Sequence, residues 1–502
     1  MHMANWYVST SGSSGNSGTL VSPWDIATGL SSLSIQPGDT VYLRGGTYVY
    51  PSRTVGAKGF PVSLQGTIES PITIRPYNDE HVIIDGGITS NLTTFPMHLI
   101  IRELEVLVSE NLSQTRTSST SGSDAPNDLV RPWGGMDINK GTNIKLINNV
   151  VHHNMQGIGF WGEVDGDSEL YGNIIYANGW IGQDRYHGHG IYSQNDNPDW
   201  KYINNNIMID NFSLNMQAYG SEAAHIDRYH VERNLWYRGE TSETGSVLIG
   251  GANASQTGRI LNNVGGGFNG GGTLGIGYGL PGDDYIVTGN RIFEDLTILE
   301  GFTNLTKTDN LWKQDEWSLP RTEATNGDRV GIDTPLPTDP AVYFDINAYD
   351  DTRANLAILN WSSDSVATVD LSDLLGEGDT YRIMDPLDMY GTPYATGTYS
   401  GDIELDLTGN NVDIFVVFNM GAEEEGSDIT ETGSGGARCG GIGTVRSNSR
   451  GATSGGARLS GLASVAYVKA PVKGGGKKKI FGLPLTEPLQ WIYRQLSRWL
   501  PV

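Results

Sequence analysis

LINNVVHHN (146–154), LYGNIIYAN (170–178), INNNIMIDN (203–211) and VERNLWYRG (231–239) are four versions of one phrase. Each places an asparagine directly before a short apolar run. The phrase returns, more loosely, as ILNNVGGG (260–267), VTGNRIFED (287–295) and TDNLW (308–312). The asparagines are Asn149, Asn173, Asn206, Asn234, Asn263, Asn290 and Asn310, separated by 24, 33, 28, 29, 27 and 20 residues. A solenoid uses one supersecondary unit per coil, of roughly 20–30 residues, and tolerates insertions at its corners. Stacked asparagines at one corner can hydrogen-bond to the next coil and form a ladder. The apolar pair after each then begins an inward-facing strand.

A second strand set lies between the asparagines: GIGFW (157–161), GIYSQ (190–194), NMQAY (215–219), SVLIG (246–250) and TLGIG (273–277). Period-two alternation points Ile158, Phe160, Ile191, Met216, Ala218, Val247, Ile249, Leu274 and Ile276 inward. Trp161, Tyr192, Gln194, Asn215, Gln217 and Tyr219 then share the outer face, and stacked coils would align them into one groove.

The opening NWYVSTSGSSGNSGT (5–19), the stretch SPW (22–24), PGDTVYLRGGTY (37–48) and the downstream asparagine ladder together resemble the pectate-lyase-like right-handed parallel β-helix superfamily. The similarity covers about residues 5–315. It implies a polysaccharide-handling scaffold, but that superfamily contains lyases, hydrolases, esterases, epimerases and phage tailspikes, so function must come from the site. A short helix over about 24–33 is expected to cap the first coil.

The fold class is therefore all-β: a parallel β-helix, a small antiparallel β-sandwich and a largely disordered basic tail. Residues 1–90 read as cap and first coils, and 91–315 as the helix core. Residues 316–340 are polar and proline-rich, a linker. Residues 341–420 alternate through six or seven short strands with Gly, Asn and Asp turns, as a sandwich does. Such accessory domains resemble those of glycan-active enzymes, and the simplest role is to pack on and seal the helix end. Residues 421–502 are Gly/Ser/Arg-rich low complexity. Their last stretch, from Thr486, has Leu489, Ile492, Tyr493, Leu496 and Leu500 on one helical face, suited to docking on a partner or surface.

Composition agrees. The chain has 502 residues, 37% hydrophobic, 18% charged, with 67 glycines, as turn-rich β proteins do. Its net charge of −24 disfavours nucleic acid over the main body, and also a naked polyanion unless a cation or local basic patch intervenes. One cysteine, Cys439, excludes an intrachain disulfide. No apolar run is long enough for a transmembrane segment. The start MHMANWYVST lacks a charged and apolar leader. An extracellular or cell-surface location follows if a signal peptide was removed, a phage particle or cytoplasm otherwise.

Six of nine histidines lie between residues 152 and 230. The densest polar cluster, QDRYHGHGIYSQNDNPDW (183–200), falls in the longest interval, so an insertion there would wall the groove. Its segment HGHGIYSQN is similar to one in β-helix polysaccharide lyases, which implies a site location and not a mechanism. Asp184, Arg185, His187 and His189 are the catalytic candidates. Trp161, Glu163, Tyr192, Gln194, Asn195, Gln217, Tyr219, Glu222 and His225 are the substrate-binding candidates. Asp184 and Asp196 are candidate metal ligands, with Ca²⁺ as the cation.

The expected function is cleavage of a polysaccharide, an acidic one, by β-elimination. A His or Tyr base would remove the C5 proton while Arg185 neutralises the carboxylate. Two alternatives remain at this level. A glycoside hydrolase needs paired carboxylates, drawn from Asp137, Glu163, Asp184, Asp196, Glu222 and Asp227. A non-catalytic glycan-binding or tailspike-like protein would stack sugars on Trp161, Tyr192 and Tyr219.

Overall fold

The computed structural model describes residues 3–422, except 55–56, 115, 118–131, 222–223, 239–246, 254, 268–272, 294–295, 313–328 and 331–336. Glu222, most of the 316–340 linker, Cys439, the basic tail and its terminal amphipathic stretch lie outside the described residues.

The chain winds into coils with three parallel faces. Each coil contributes one strand to each face in the same order, as Ile191–Ser193, Lys201–Asn204 and Ile207–Ile209 do. The groove face runs from Phe60–Val62 to Leu296–Ile298. The middle face runs from Asn5–Val8 to Asn304–Thr308. The flank face runs from Gly46–Val49 to Arg329–Val330. The residues that alternation points inward are all buried; Ile158, Phe160, Ile191, Met216, Ala218, Ile249, Leu274 and Ile276 have 0% exposure and Val247 has 1%.

The asparagine ladder stands at the corner between the middle and flank faces. The amide Nδ2 of Asn149 donates to Oδ1 of Asn173 (3.0 Å), and the pattern continues through Asn206 (2.9 Å), Asn234 (3.0 Å), Asn263 (3.0 Å), Asn290 (2.9 Å) and Asn310 (2.8 Å). The same Oδ1 also accepts the backbone N–H of the preceding rung, at 3.0 Å from Asn206 to Asn234. The second amide proton goes back to a carbonyl, as from Asn206 to Leu170 (2.9 Å). Buried amides are tolerable only when satisfied in this way.

Each rung is preceded by a residue with left-handed backbone: Asn148 (φ 54°), Gly172 (66°), Asn205 (58°), Arg233 (54°), Asn262 (54°), Gly289 (71°) and Asp309 (52°). Asn, Gly and Asp tolerate this region best, which is why the corner reads NN, GN or DN in sequence. Arg233 is the exception, and its guanidinium reaches Asp345 at 3.3 Å.

A second, shorter ladder stands at the corner between the flank and groove faces. Asn154 donates to Asn178 (3.1 Å), Asn178 to Asn211 (3.0 Å) and Asn211 to Asn215 (2.9 Å). This corrects the placement of Asn215 on the outer face: it is 0% exposed. The alternation pattern begins one residue later, because the ladder claims Asn215 for the interior.

The capping helix is shorter than expected, Ile26–Gly29, with Asp25 Oδ1 accepting from Thr28 N at 2.8 Å. Leu30, 1% exposed, joins the core beneath it.

The C-terminal strands form an antiparallel five-stranded sheet in the order Ala341–Ile346, Arg353–Leu359, Val412–Ala422, Asp379–Met384 and Ala395–Thr398. A two-stranded ribbon, Val366–Val369 with Ile403–Asp406, covers it. The expected role of sealing the helix end is not what the seam looks like. Ala357, Leu359, Val412 and Ile414 pack on Ile174, Ile207, Leu235 and Val264 along the flank face. Asparagines from the corner extend the seam: Asn347 donates to Asn148 at 2.7 Å and Asn355 to Asn205 at 2.9 Å.

Beside this seam, Glu105 accepts from two histidines, His81 (2.5 Å) and His152 (2.8 Å). His81 stacks on Tyr390 of the sandwich, with ring centroids 3.8 Å apart. Burial opposes the charge of Glu105, but the two imidazoles hold its carboxyl at about 2, below the ordinary 4.5.

Two outcomes follow for stability. Replacing a central rung, Asn206→Ala, should cost about 3 kcal/mol in denaturant unfolding, because it leaves buried partners unsatisfied on both sides. Asn310→Ala, at the end of the ladder, should cost less. Glu105 is deprotonated in the fold where the unfolded chain has begun to take up a proton, so its contribution is full above pH 4.5 and lost as pH falls toward about 2. Glu105→Gln should lower the melting temperature at neutral pH and flatten the acid dependence in that window; an unchanged acid limb would remove Glu105 from the account.

Candidate functional site

On the groove face, register fixes which side chains are neighbours. Thr89, Asp137, Gly159, Tyr192, Gln217 and Leu248 stand in one line across successive coils. Adjacent coils are about 4.8 Å apart, so Tyr192 and Gln217 come from different sequence segments to one wall. Trp161, Gln194 and Tyr219 lie two residues further along each strand, on the same outward side, and all are partly exposed.

Gly159 makes the upper end of this wall possible. A Cβ there would sit 2.5 Å from Asp137 Oδ1 and 2.7 Å from Trp161 Nε1. With no side chain in the way, Trp161 Nε1 donates to Asp137 Oδ1 at 2.7 Å. Asp137 is 2% exposed, and its other oxygen lies 3.1 Å from Lys58 Nζ. The same ammonium lies 4.9 Å from the ring centroid of Trp133.

The expected insertion is a two-stranded hairpin, Trp180–Ile181 with Tyr186–His187. Arg116 pins its base. The guanidinium is 3% exposed and donates to Ala177 O (2.6 Å) and to the carbonyls of Asn154 and Gly179. Burial lowers its pKa to about 9. Inside the hairpin, His187 stacks flat on Trp180 (4.8 Å, 5°) and meets Asp184 at 3.1 Å. Burial lowers its pKa, opposed by Asp184 and aided by Arg185. At 6% exposure, His187 belongs to the hairpin's packing.

His189 leaves the hairpin and enters the groove. Its ring lies 5.2 Å from that of Tyr192, and its imidazole hydrogen-bonds with the side chain of Gln217. Tyr192 in turn lies 5.1 Å from Trp161. Enclosure of the ring lowers its pKa to about 3; the Gln217 bond opposes this, while Arg185 and His187 add to it. The imidazole is neutral at ordinary pH. Burial raises the pKa of Tyr192, which stays a phenol. His189, Tyr192, Gln217 and Trp161 are thus one cluster, with Arg185 acting on the imidazole through space and Lys58 and Asp137 adjoining at Trp161.

The remaining candidates are placed elsewhere. Asn195 is 1% exposed, and its amide holds the carbonyls of Asp199 (3.0 Å) and Asp227 (2.5 Å), so it builds the corner and does not face the groove. Glu163 is exposed and ion-paired with Lys140 on the rim. Asp196 accepts the backbone N–H of His225 at 2.6 Å, and the His225 side chain points to solvent. Asp184 and Asp196 therefore have separate partners. Among the described residues, no group of three His, Cys, Asp or Glu side chains is gathered to hold a metal ion.

Sequence reading missed Lys58, Trp133 and Arg116. Lys58 meets Asp137 across 79 positions of chain, and no local pattern marks such a pair. Lys201 was missed too: it is 1% exposed and lies beneath Trp161.

Residues 6–179 match the family model of the Pel9A-like right-handed β-helix region. The coils form a parallel β-helix, and the matched stretch is of the Pel9A-like right-handed kind. No curated protein sequence matches the chain. Among solved structures, pectate lyase Pel9A is 14% identical with a TM-score of 0.43, covering 66% of this chain and 74% of that one. A rhamnogalacturonan lyase is 15% identical with a TM-score of 0.42, covering 62% and 74%. The GH136 lacto-N-biosidase from Eubacterium ramulus is 15% identical with a TM-score of 0.32, covering 62% and 64%.

The hairpin's dependence on Arg116 is open to test. Arg116→Met should remove the guanidinium donors from the Ala177, Asn154 and Gly179 carbonyls and speed hydrogen exchange at Gly179–Gly190 by about tenfold or more, with the amides of the Asn149–Asn310 ladder unaffected. Unchanged protection there would show that the hairpin holds itself.

Proposed function

We propose that this protein cleaves an acidic polysaccharide by β-elimination in the groove of its β-helix. The observation that carries the reading is the convergence of His189, Tyr192 and Gln217 from neighbouring coils, beside Trp161 and within the field of Arg185. The cluster contains a neutral imidazole, a protonated phenol, a fixed cation and an aromatic platform, and those are the parts an elimination needs.

In this reading the sugar rings lie against Trp161 and Tyr192. Arg185 and Lys58 draw the uronate carboxylate, which acidifies C5–H. His189 takes the C5 proton. The C4–O bond breaks, C4=C5 forms, and the Tyr192 hydroxyl gives its proton to the leaving oxygen. A pKa of about 3 makes free His189 a weak base. An anionic substrate beside the ring favours the imidazolium, so the proton transfer is easiest when the groove is filled. Gln217 fixes the ring's orientation.

Incubation with a panel of uronate polymers tests this. The expected product absorbs in the ultraviolet through its new conjugated double bond. New reducing ends without that chromophore would mean hydrolysis and overturn the elimination. His189→Ala should lower kcat by about 10²–10⁴ and Tyr192→Phe by about 10², with melting curves near wild type. Because kcat/KM reports the free enzyme, its acid limb should lie well below the ordinary histidine value of 6.5, toward about 3.

A further inference from the structure

The groove floor rests on a cation that no carboxylate among the described residues touches. Lys201 begins the middle-face strand Lys201–Asn204, and its side chain turns back under the groove face. Its Nζ lies 2.6 Å from Trp161 O, 2.6 Å from Gln194 O and 3.2 Å from Phe160 O, and 4.4 Å from the centroid of the Phe160 ring. Among the described residues it makes no ion pair. Asp196 and Asp165 act on it only at longer range.

The partner set says which form of the side chain is present. An ammonium carries three N–H donors and no lone pair, and a neutral amine carries two and a lone pair. Here all three neighbours are carbonyl acceptors. A neutral amine would turn its lone pair toward one of those oxygens. Burial pushes the pKa of Lys201 well down, while Asp196 and Asp165 pull it up; the three carbonyl oxygens add to the pull toward the charged form.

We propose that Lys201 is an internal cation of the groove: it fixes the main chain under Trp161 and Gln194 and gives the floor a positive potential selective for acidic polymers. This rests on the reading of the groove as a polysaccharide site. It answers the difficulty posed by a net charge of −24. The field inside a cleft is set by the nearest charges in low dielectric, not by the sum over a screened surface. Lys58 cannot supply that potential alone, since Asp137 is paired with it. Lys201 is a positioning residue and touches no substrate.

The test compares an oligogalacturonate with its methyl ester, which has the same shape and no charge. Binding of both to the wild-type protein and to Lys201→Met is measured by calorimetry. The expected result is a loss of about tenfold in affinity for the charged oligomer, with the ester little changed. Equal losses for both would reduce Lys201 to a structural strut and overturn the proposal. A wild type that binds neither probe would fail the groove reading first, and this proposal with it. If Lys201→Met does not fold, nitrogen NMR of Lys201 in the wild type decides: an ammonium at about pH 7 is expected, and a neutral amine there overturns the proposal.

Discussion

Everything in this molecule is organised by a column of buried amides. A parallel coil has no hairpin to set its register, and a slip of one residue would turn every core side chain outward. The ladder from Asn149 to Asn310 removes that freedom. Each rung must meet the next with both its backbone and side-chain donors, and a misregistered rung would leave amide groups unsatisfied in the interior. Coil length can then vary from 20 to 33 residues without disturbing the stack, because only the corner is fixed. Insertions go to the other corners, and the one between Asn173 and Asn206 produces the hairpin that carries Arg185 and delivers His189.

The corners also join the two halves. Left-handed Asn148 and Asn205 turn their side chains away from the ladder and toward the sandwich, where Asn347 and Asn355 meet them. One conformational requirement thus serves both winding and docking. The apolar seam continues between, with Ile207 and Leu235 on one side and Leu359 and Ile414 on the other. The sandwich leaves the groove face clear and covers the opposite flank.

The groove collects several kinds of interaction under one constraint. Trp161 is held by Asp137 from the coil before and by Lys201 from beneath. His189 is held by Gln217 and flanked by Tyr192, from different strands. Arg116 and Lys201 are both buried cations that, among the described residues, bond to carbonyls and not to carboxylates. Such an arrangement keeps positive charge close to the groove in a chain that is acidic overall.

Periodicity determined a great deal before any coordinates. The asparagine spacing fixed the solenoid, its rungs and the inward residues, because stacking forces the same residue type to the same corner in every coil. Alternation placed Trp161, Tyr192 and Gln217 on one outward wall, since a strand has only two sides. The capping helix, the sandwich and the HGHG insertion were legible for similar local reasons. Tertiary structure alone decided the rest. Asn195 and Asn215 turned inward because corner carbonyls and a second ladder needed their amides, a demand set by neighbouring coils. The sandwich settled along the flank because its apolar face matches that of the coils. Lys58, Arg116 and Lys201 met partners from other coils or distant loops. Nothing in their own neighbourhoods encodes those meetings, because they exist only once the coils have stacked.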